Sequence, residues 1–132
     1  MRKITALRMP VIVSIDDEMM LRELMVDTLN MLGFEQVVAL ASSGEFIEYL
    51  DTHDEPDLLM CDQDLGYNSL KGSVLIGLLR SIGYLGKILT VSGDVTTLGR
   101  DHFINAGAND TLQKGYEIAE LDAAVRKQLG EE

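Results

Sequence analysis

Four short apolar runs recur down this chain, Val11 to Ile15, Val37 to Leu40, Leu58 to Cys61 and Ile88 to Val91, each bounded by polar or glycine residues. Such short, almost uninterrupted apolar runs are the pattern of strands buried on both sides. Between them the apolar spacing changes to that of helices. Leu21, Leu24, Met25, Leu29 and Leu32 fall on one side of a helix that Gly33 terminates, and Ser43 is placed to cap a second helix through Phe46, Ile47 and Leu50. A third runs from about Ser73 through Leu75, Leu78, Leu79 and Ile82, a fourth covers Thr96 to Ala106, a weaker strand covers Asp110 to Gln113, and Ile118 to Leu129 closes the chain. Five strand–helix repeats predict an α/β fold: a doubly wound, five-stranded parallel sheet with helices on both faces, because parallel strands need crossover connections. The polar loop from Gly66 to Gly72 is longer than the others and is expected to be mobile.

Size and charge narrow the function. The 132 residues, 46% of them hydrophobic, suit one compact domain over 1–132 with its own core. The single Cys61 lies inside an apolar run, has no partner for an intrachain disulfide and reads as strand core, so a reducing cytoplasm is the expected compartment. No apolar stretch is long enough to span a bilayer, and the opening residues lack the apolar core of a secretion signal. Twenty-two acidic residues against 11 basic ones give a net charge of −11, which argues against nucleic acid or an anionic membrane as a partner.

A few carboxylates do more than solubilise. Asp16 and Asp17 end the first strand, Asp62 the third, Ser92 the fourth and Lys114 the fifth, all at carboxyl ends. In open α/β sheets ligands bind in the crevice at those ends, so residues distant in sequence converge there. Three carboxylates brought together repel one another unless a cation lies between them. An all-oxygen donor set suits Mg²⁺, which keeps several waters, whereas zinc lacks the His or Cys cluster it would need. A carboxylate can also attack phosphorus to give an acyl phosphate when the phosphoryl oxygens are neutralised, here by the metal, the Lys114 ammonium and the Ser92 hydroxyl.

Ile15-Asp16-Asp17-Glu18, Pro56-Asp57-Leu58-Leu59-Met60-Cys61-Asp62, Val91-Ser92-Gly93, and Gly107-Ala108 followed by Leu112-Gln113-Lys114 together resemble the signature of response-regulator receiver domains, over nearly the whole chain. The resemblance implies a flavodoxin-like sheet of order 2-1-3-4-5. It implies Asp62 as phosphoacceptor, Asp17 as direct Mg²⁺ ligand, Asp16 as water-mediated ligand, the Gln63 backbone carbonyl as a further ligand, Ser92 as switch hydroxyl and Lys114 as the essential lysine. Mn²⁺ would be able to substitute for Mg²⁺. The implied partners are a histidine kinase or histidine phosphotransfer protein, docking at Leu21 and Leu24, and a downstream protein target; the switch would act as a monomer or a phosphorylation-dependent dimer, and would catalyse only its own phosphorylation and dephosphorylation.

The sequence departs from the family pattern at several points. Gly66 stands where a proline is common, Gly115 replaces the proline that usually follows the lysine, and Thr111 replaces the aromatic residue that reports phosphorylation to the output face. Asp64 and Asp94 occupy the variable positions that tune hydrolysis. His53 and His102 read as surface histidines, and Met9, Met19, Met20 and Met31 as surface or gap-filling residues. Two other readings compete: a pseudo-receiver that only binds partners, and a haloacid-dehalogenase-like phosphohydrolase, suggested by Asp62-Gln63-Asp64 but disfavoured because here the acidic pair precedes the nucleophile. A flavin carrier would need a phosphate-cradling loop after the first strand, where Asp16, Asp17 and Glu18 would repel it.

Overall fold

A computed structural model describes residues 9–93 and 97–131. Strands β1 (Val11–Ile15), β2 (Gln36–Leu40), β3 (Leu58–Cys61), β4 (Lys87–Ser92) and β5 (Asp110–Gln113) alternate with helices α1 (Met19–Met31), α2 (Ser43–Thr52), α3 (Gly72–Ser81), α4 (Thr97–Ala106) and α5 (Ile118–Gln128). The strands are all parallel, in the order β2-β1-β3-β4-β5. The element boundaries agree with the sequence reading to within a residue or so.

The apolar runs feed two cores because successive side chains on a strand point to opposite faces. Val13, Ile15, Leu59, Cys61 and Ile88 pack under Phe46 of α2, Leu75, Ile76 and Leu79 of α3, and Phe103 of α4. Ile12, Leu58, Met60, Leu89 and Val91 pack under Leu29 of α1 and Leu121 and Val125 of α5. Cys61 is a core residue, and burial, helped by the neighbouring Asp62, pushes its thiol up to about 12. A thiol held neutral in this way is inert.

Two expectations need correction. Leu21 and Leu24 do not share the buried side of α1: Leu24 is 59% exposed, and Met19, Met20 and Leu21 also face solvent. Only the second half of α1, through Met25, Leu29 and Leu32, reaches the sheet. The cap of α2 is Ser42, whose hydroxyl accepts the Glu45 N–H at 3.1 Å, while Ser43 is already helical and 3% exposed.

Candidate functional site

Four strand ends deliver the polar residues to one edge of the sheet. Asp16 follows β1, its N–H donating to the Leu40 carbonyl at 3.0 Å, and one carboxylate oxygen accepts the Glu18 N–H at 3.0 Å. The Arg22 guanidinium donates to the Asp16 carbonyl at 2.9 Å, fixing α1 to the end of β1. Asp17 is exposed beside it. Acidic side chains are favoured here because α1 begins at Met19 and its unpaired N–H groups carry partial positive charge.

Asp62 directly follows β3. One of its carboxylate oxygens accepts the Gln63 N–H at 2.6 Å, and the other pairs with Lys114 Nζ. Lys114 is brought in by β5, whose end is tied to that of β4 by a 2.8 Å bond from the Lys114 N–H to the Ser92 carbonyl. The hydrogen bond to Asp62 raises the ammonium above its ordinary value of 10.5, outweighing the opposing effect of burial, and Asp16 and Glu18 push the same way. Asp16 also contributes, after burial, to raising the Tyr116 phenol. Asp16, Glu18 and Asp62 thus all act on Lys114. Ser92, the last residue of β4, is 7% exposed.

Gly115 adopts φ +87°, a conformation closed to proline, and Lys114 still reaches Asp62. Gly72 explains why the loop after β3 ends where it does. A Cβ there would lie 2.0 Å from the Asp62 carbonyl oxygen, so only glycine lets α3 start against the Asp62 backbone. Gly66, at φ +98°, comes so close to Asp17 that a Cβ would sit 2.9 Å from the aspartate's own. The Gln63 carbonyl accepts the Gly72 N–H at 2.9 Å and its side-chain oxygen accepts the Ser73 N–H at 2.8 Å, closing the loop on itself. The loop after β3 is therefore hydrogen-bonded near its ends and lies close against Asp17.

Hard carboxylate oxygens suit a divalent cation that retains its own waters. Among the described residues, however, no three His, Cys, Asp or Glu side chains are grouped as a metal-holding cluster. Asp62 is turned to Lys114 instead, and Asp16 is engaged by Glu18. The Gln63 carbonyl has one lone pair committed to Gly72, leaving a single lone pair for any metal.

The remaining expected residues are placed as follows. Asp64 is exposed and accepts the Gly66 N–H at 3.1 Å, a turn contact within its own loop, and Asp94 lies outside the described residues. His53 stacks on Tyr49 at 4.1 Å at the end of α2, and His102 lies on α4, edge-on to Phe103. Thr111 is not idle: Arg100 of α4 donates to its hydroxyl at 2.8 Å and to the Asp110 carboxylate at 2.7 Å. Arg100 carried no local sequence signal, since its partners lie ten and eleven residues away on β5. No helix among the described residues is long and apolar enough to cross a membrane.

The profile of the response regulator receiver domain family matches residues 12–126. Among curated proteins, none matches the chain in sequence. Among solved structures it is similar to the receiver domain of the Francisella response regulator 1452, at 20% identity and a TM-score of 0.83 over 92% of this chain and 97% of that one. It is similar also to a CheY-like receiver domain protein of Methanospirillum hungatei, at 20% identity and a TM-score of 0.81 over 93% and 95% of the two chains. The receiver domain of NtrX from Brucella abortus shows 20% identity and a TM-score of 0.80 over 90% and 98%. At these identities the structural likenesses establish the flavodoxin-like fold, and the family match covers the four strand ends that carry the acidic, hydroxyl and lysine residues. The chain belongs to the response regulator receiver domain family.

Proposed function

We propose that this receiver is a phosphoryl-accepting switch in which Asp62 takes the group from a phosphohistidine on a histidine kinase or phosphotransfer protein. The observation that carries the reading is the Asp62–Lys114 pair at the carboxyl end of the sheet, next to Ser92. An Asp62 carboxylate oxygen attacks phosphorus, the P–N bond breaks with its electron pair passing to the imidazole nitrogen, and an acyl phosphate results. Lys114, kept charged by its surroundings, supplies positive charge to the phosphoryl oxygens, and the Ser92 hydroxyl turns toward them. Asp16, Asp17 and Asp62, with the free lone pair of the Gln63 carbonyl, would hold Mg²⁺ or Mn²⁺, which neutralises a phosphoryl oxygen when bound. Leu21 and Leu24, exposed on the half of α1 nearest the acidic residues, offer an apolar ridge for the phosphodonor protein. Water later hydrolyses the acyl phosphate, with Asp64 and Asp94 as candidates for setting its rate. The change in partner binding between the two states is the output.

One observation favours a second reading, an interaction module that takes no phosphoryl group: the lack, among the described residues, of three side chains grouped around a metal position. Intact-protein mass spectrometry after incubation with Mg²⁺ and acetyl phosphate separates the two. A single phosphoryl adduct that requires Mg²⁺ and is absent from Asp62→Asn supports the switch; no adduct from acetyl phosphate, phosphoramidate or phosphorylated kinases, in folded protein, supports the module.

A further inference from the structure

The loop between β3 and α3 is fastened to α2 by a pair of serines 26 residues apart. Ser69 Oγ accepts the Ser43 N–H at 2.7 Å and donates to Ser43 Oγ at 2.8 Å, and Ser43 Oγ also accepts the Leu70 N–H at 2.9 Å. The chemistry is that of a helix start: the Ser43 N–H is one of the donors that the first turn of α2 leaves without an intrahelical acceptor, and Ser69 supplies the oxygen. From Ser69 the connection continues to the acidic end of the sheet. The Ser69 N–H donates to the Gly66 carbonyl at 3.3 Å, and Gly66 abuts Asp17 with no room for a Cβ. The path Ser43, Ser69, Gly66, Asp17 is thus a series of direct contacts.

We propose that Ser43 and Ser69 are positioning residues, whose paired hydroxyls press the loop against Asp17 and so hold that carboxylate in place for a divalent cation. The inference rests on the metal-assisted reading above. Neither serine touches the cation; each acts through the loop, as outer groups that orient metal-binding side chains do. Ser43 is buried, so its hydroxyl stays turned to the loop rather than to solvent, and removing either hydroxyl breaks this fastening.

The test compares wild type with Ser69→Ala, Ser69→Thr and the control Ser81→Ala, whose hydroxyl bonds only within its own helix, to the Leu78 carbonyl at 2.7 Å. Mn²⁺ affinity is read by the electron paramagnetic resonance signal of the free ion, and loop fastening by hydrogen exchange at the Leu70 amide. The expected result is that Ser69→Ala weakens Mn²⁺ binding by about tenfold and speeds Leu70 exchange while leaving the thermal midpoint and exchange at core amides such as that of Leu29 unchanged. Ser69→Thr restores affinity, and Ser81→Ala changes nothing. Wild-type Mn²⁺ affinity in Ser69→Ala overturns the positioning role alone, as does a loss that merely follows global destabilisation. A wild-type protein that binds no Mn²⁺ overturns the metal reading itself and the positioning role with it.

Discussion

The two ends of this sheet are built on opposite principles. At the amino ends of the strands several charged groups are tied to neighbouring loops and helices. Arg80, in the last turn of α3, donates to the carbonyls of Gly107, Tyr84 and Gly86 and to Asn109 Oδ1, all between 2.9 and 3.0 Å, joining α3 to two further loops. Arg126, near the end of α5, does the same for the Leu32 carbonyl, Asp122 and Glu131 while lying 4.8 Å over the Phe34 ring. Asp57 accepts the Val11 N–H at 2.7 Å. At the carboxyl ends Asp16 and Asp17 follow β1 and Asp62 and Asp64 follow β3, with Lys114 as the one cation paired to Asp62 among the described residues. The first end is organised for stability, and the second is left negative, which is the condition for capturing a cation.

The largest effect is expected where the site meets the backbone. Gly72→Ala forces a methyl group into the Asp62 carbonyl, and should cost about 3 kcal/mol in urea unfolding while abolishing the phosphoryl adduct. Arg80→Ala should cost about 2 kcal/mol, since it removes several charge-assisted hydrogen bonds at once, yet leave Mg²⁺ affinity and phosphorylation unaltered. If Arg80→Ala weakened metal binding, the division of labour between the two ends would be wrong. Asp17→Asn sharpens the contrast from the other side, losing metal affinity with no loss of stability in metal-free buffer. Tyr84 carries a buried hydroxyl without a hydrogen-bond partner among the described residues, so Tyr84→Phe should gain up to ~1 kcal/mol, measured by the same unfolding series. Arg100→Ala breaks an exposed pair and should cost under ~1 kcal/mol.

The smallest effect is one of pH. Because the folded-state pKa of Lys114 is raised, the stability its pair with Asp62 contributes is fully present below the ordinary value of 10.5 and is lost only as pH rises through the higher folded value. Stability and adduct formation should therefore show no lysine titration between neutral pH and 10.5.

How much of this could be read from the sequence depended on distance along the chain. The strand runs, Gly33 as a helix stop and the strand-end positions of Asp16, Asp62, Ser92 and Lys114 were legible because each is local: a period, a terminator, or the residue after a run. The fastening of the loop after β3 was not, because Ser43 and Ser69 are ordinary loop and helix-start residues whose pairing exists only once α2 and α3 lie side by side. For the same reason Ser43 was mistaken for the cap that Ser42 provides. Arg80 carries no local signal, since three of its four acceptors are backbone carbonyls that any residue could supply and the fourth, Asn109 Oδ1, lies 29 residues away. Thr111 was legible as a departure from the family, but its engagement by Arg100 was not. The exposure of Leu21 and Leu24 escaped the helical pattern because periodicity records which residues share a face, not how far along the helix that face stays covered.

The central claim, that the negative end of the sheet is a cation-dependent phosphoacceptor site, is tested most directly by urea unfolding with and without Mg²⁺. A ligand that binds only the native state adds stability by mass action, about 2.7 kcal/mol at a hundredfold excess over its dissociation constant. Wild type should gain stability with Mg²⁺ in this way and Asp17→Asn should not. Identical unfolding curves for the wild type in the presence and absence of Mg²⁺ would contradict the account.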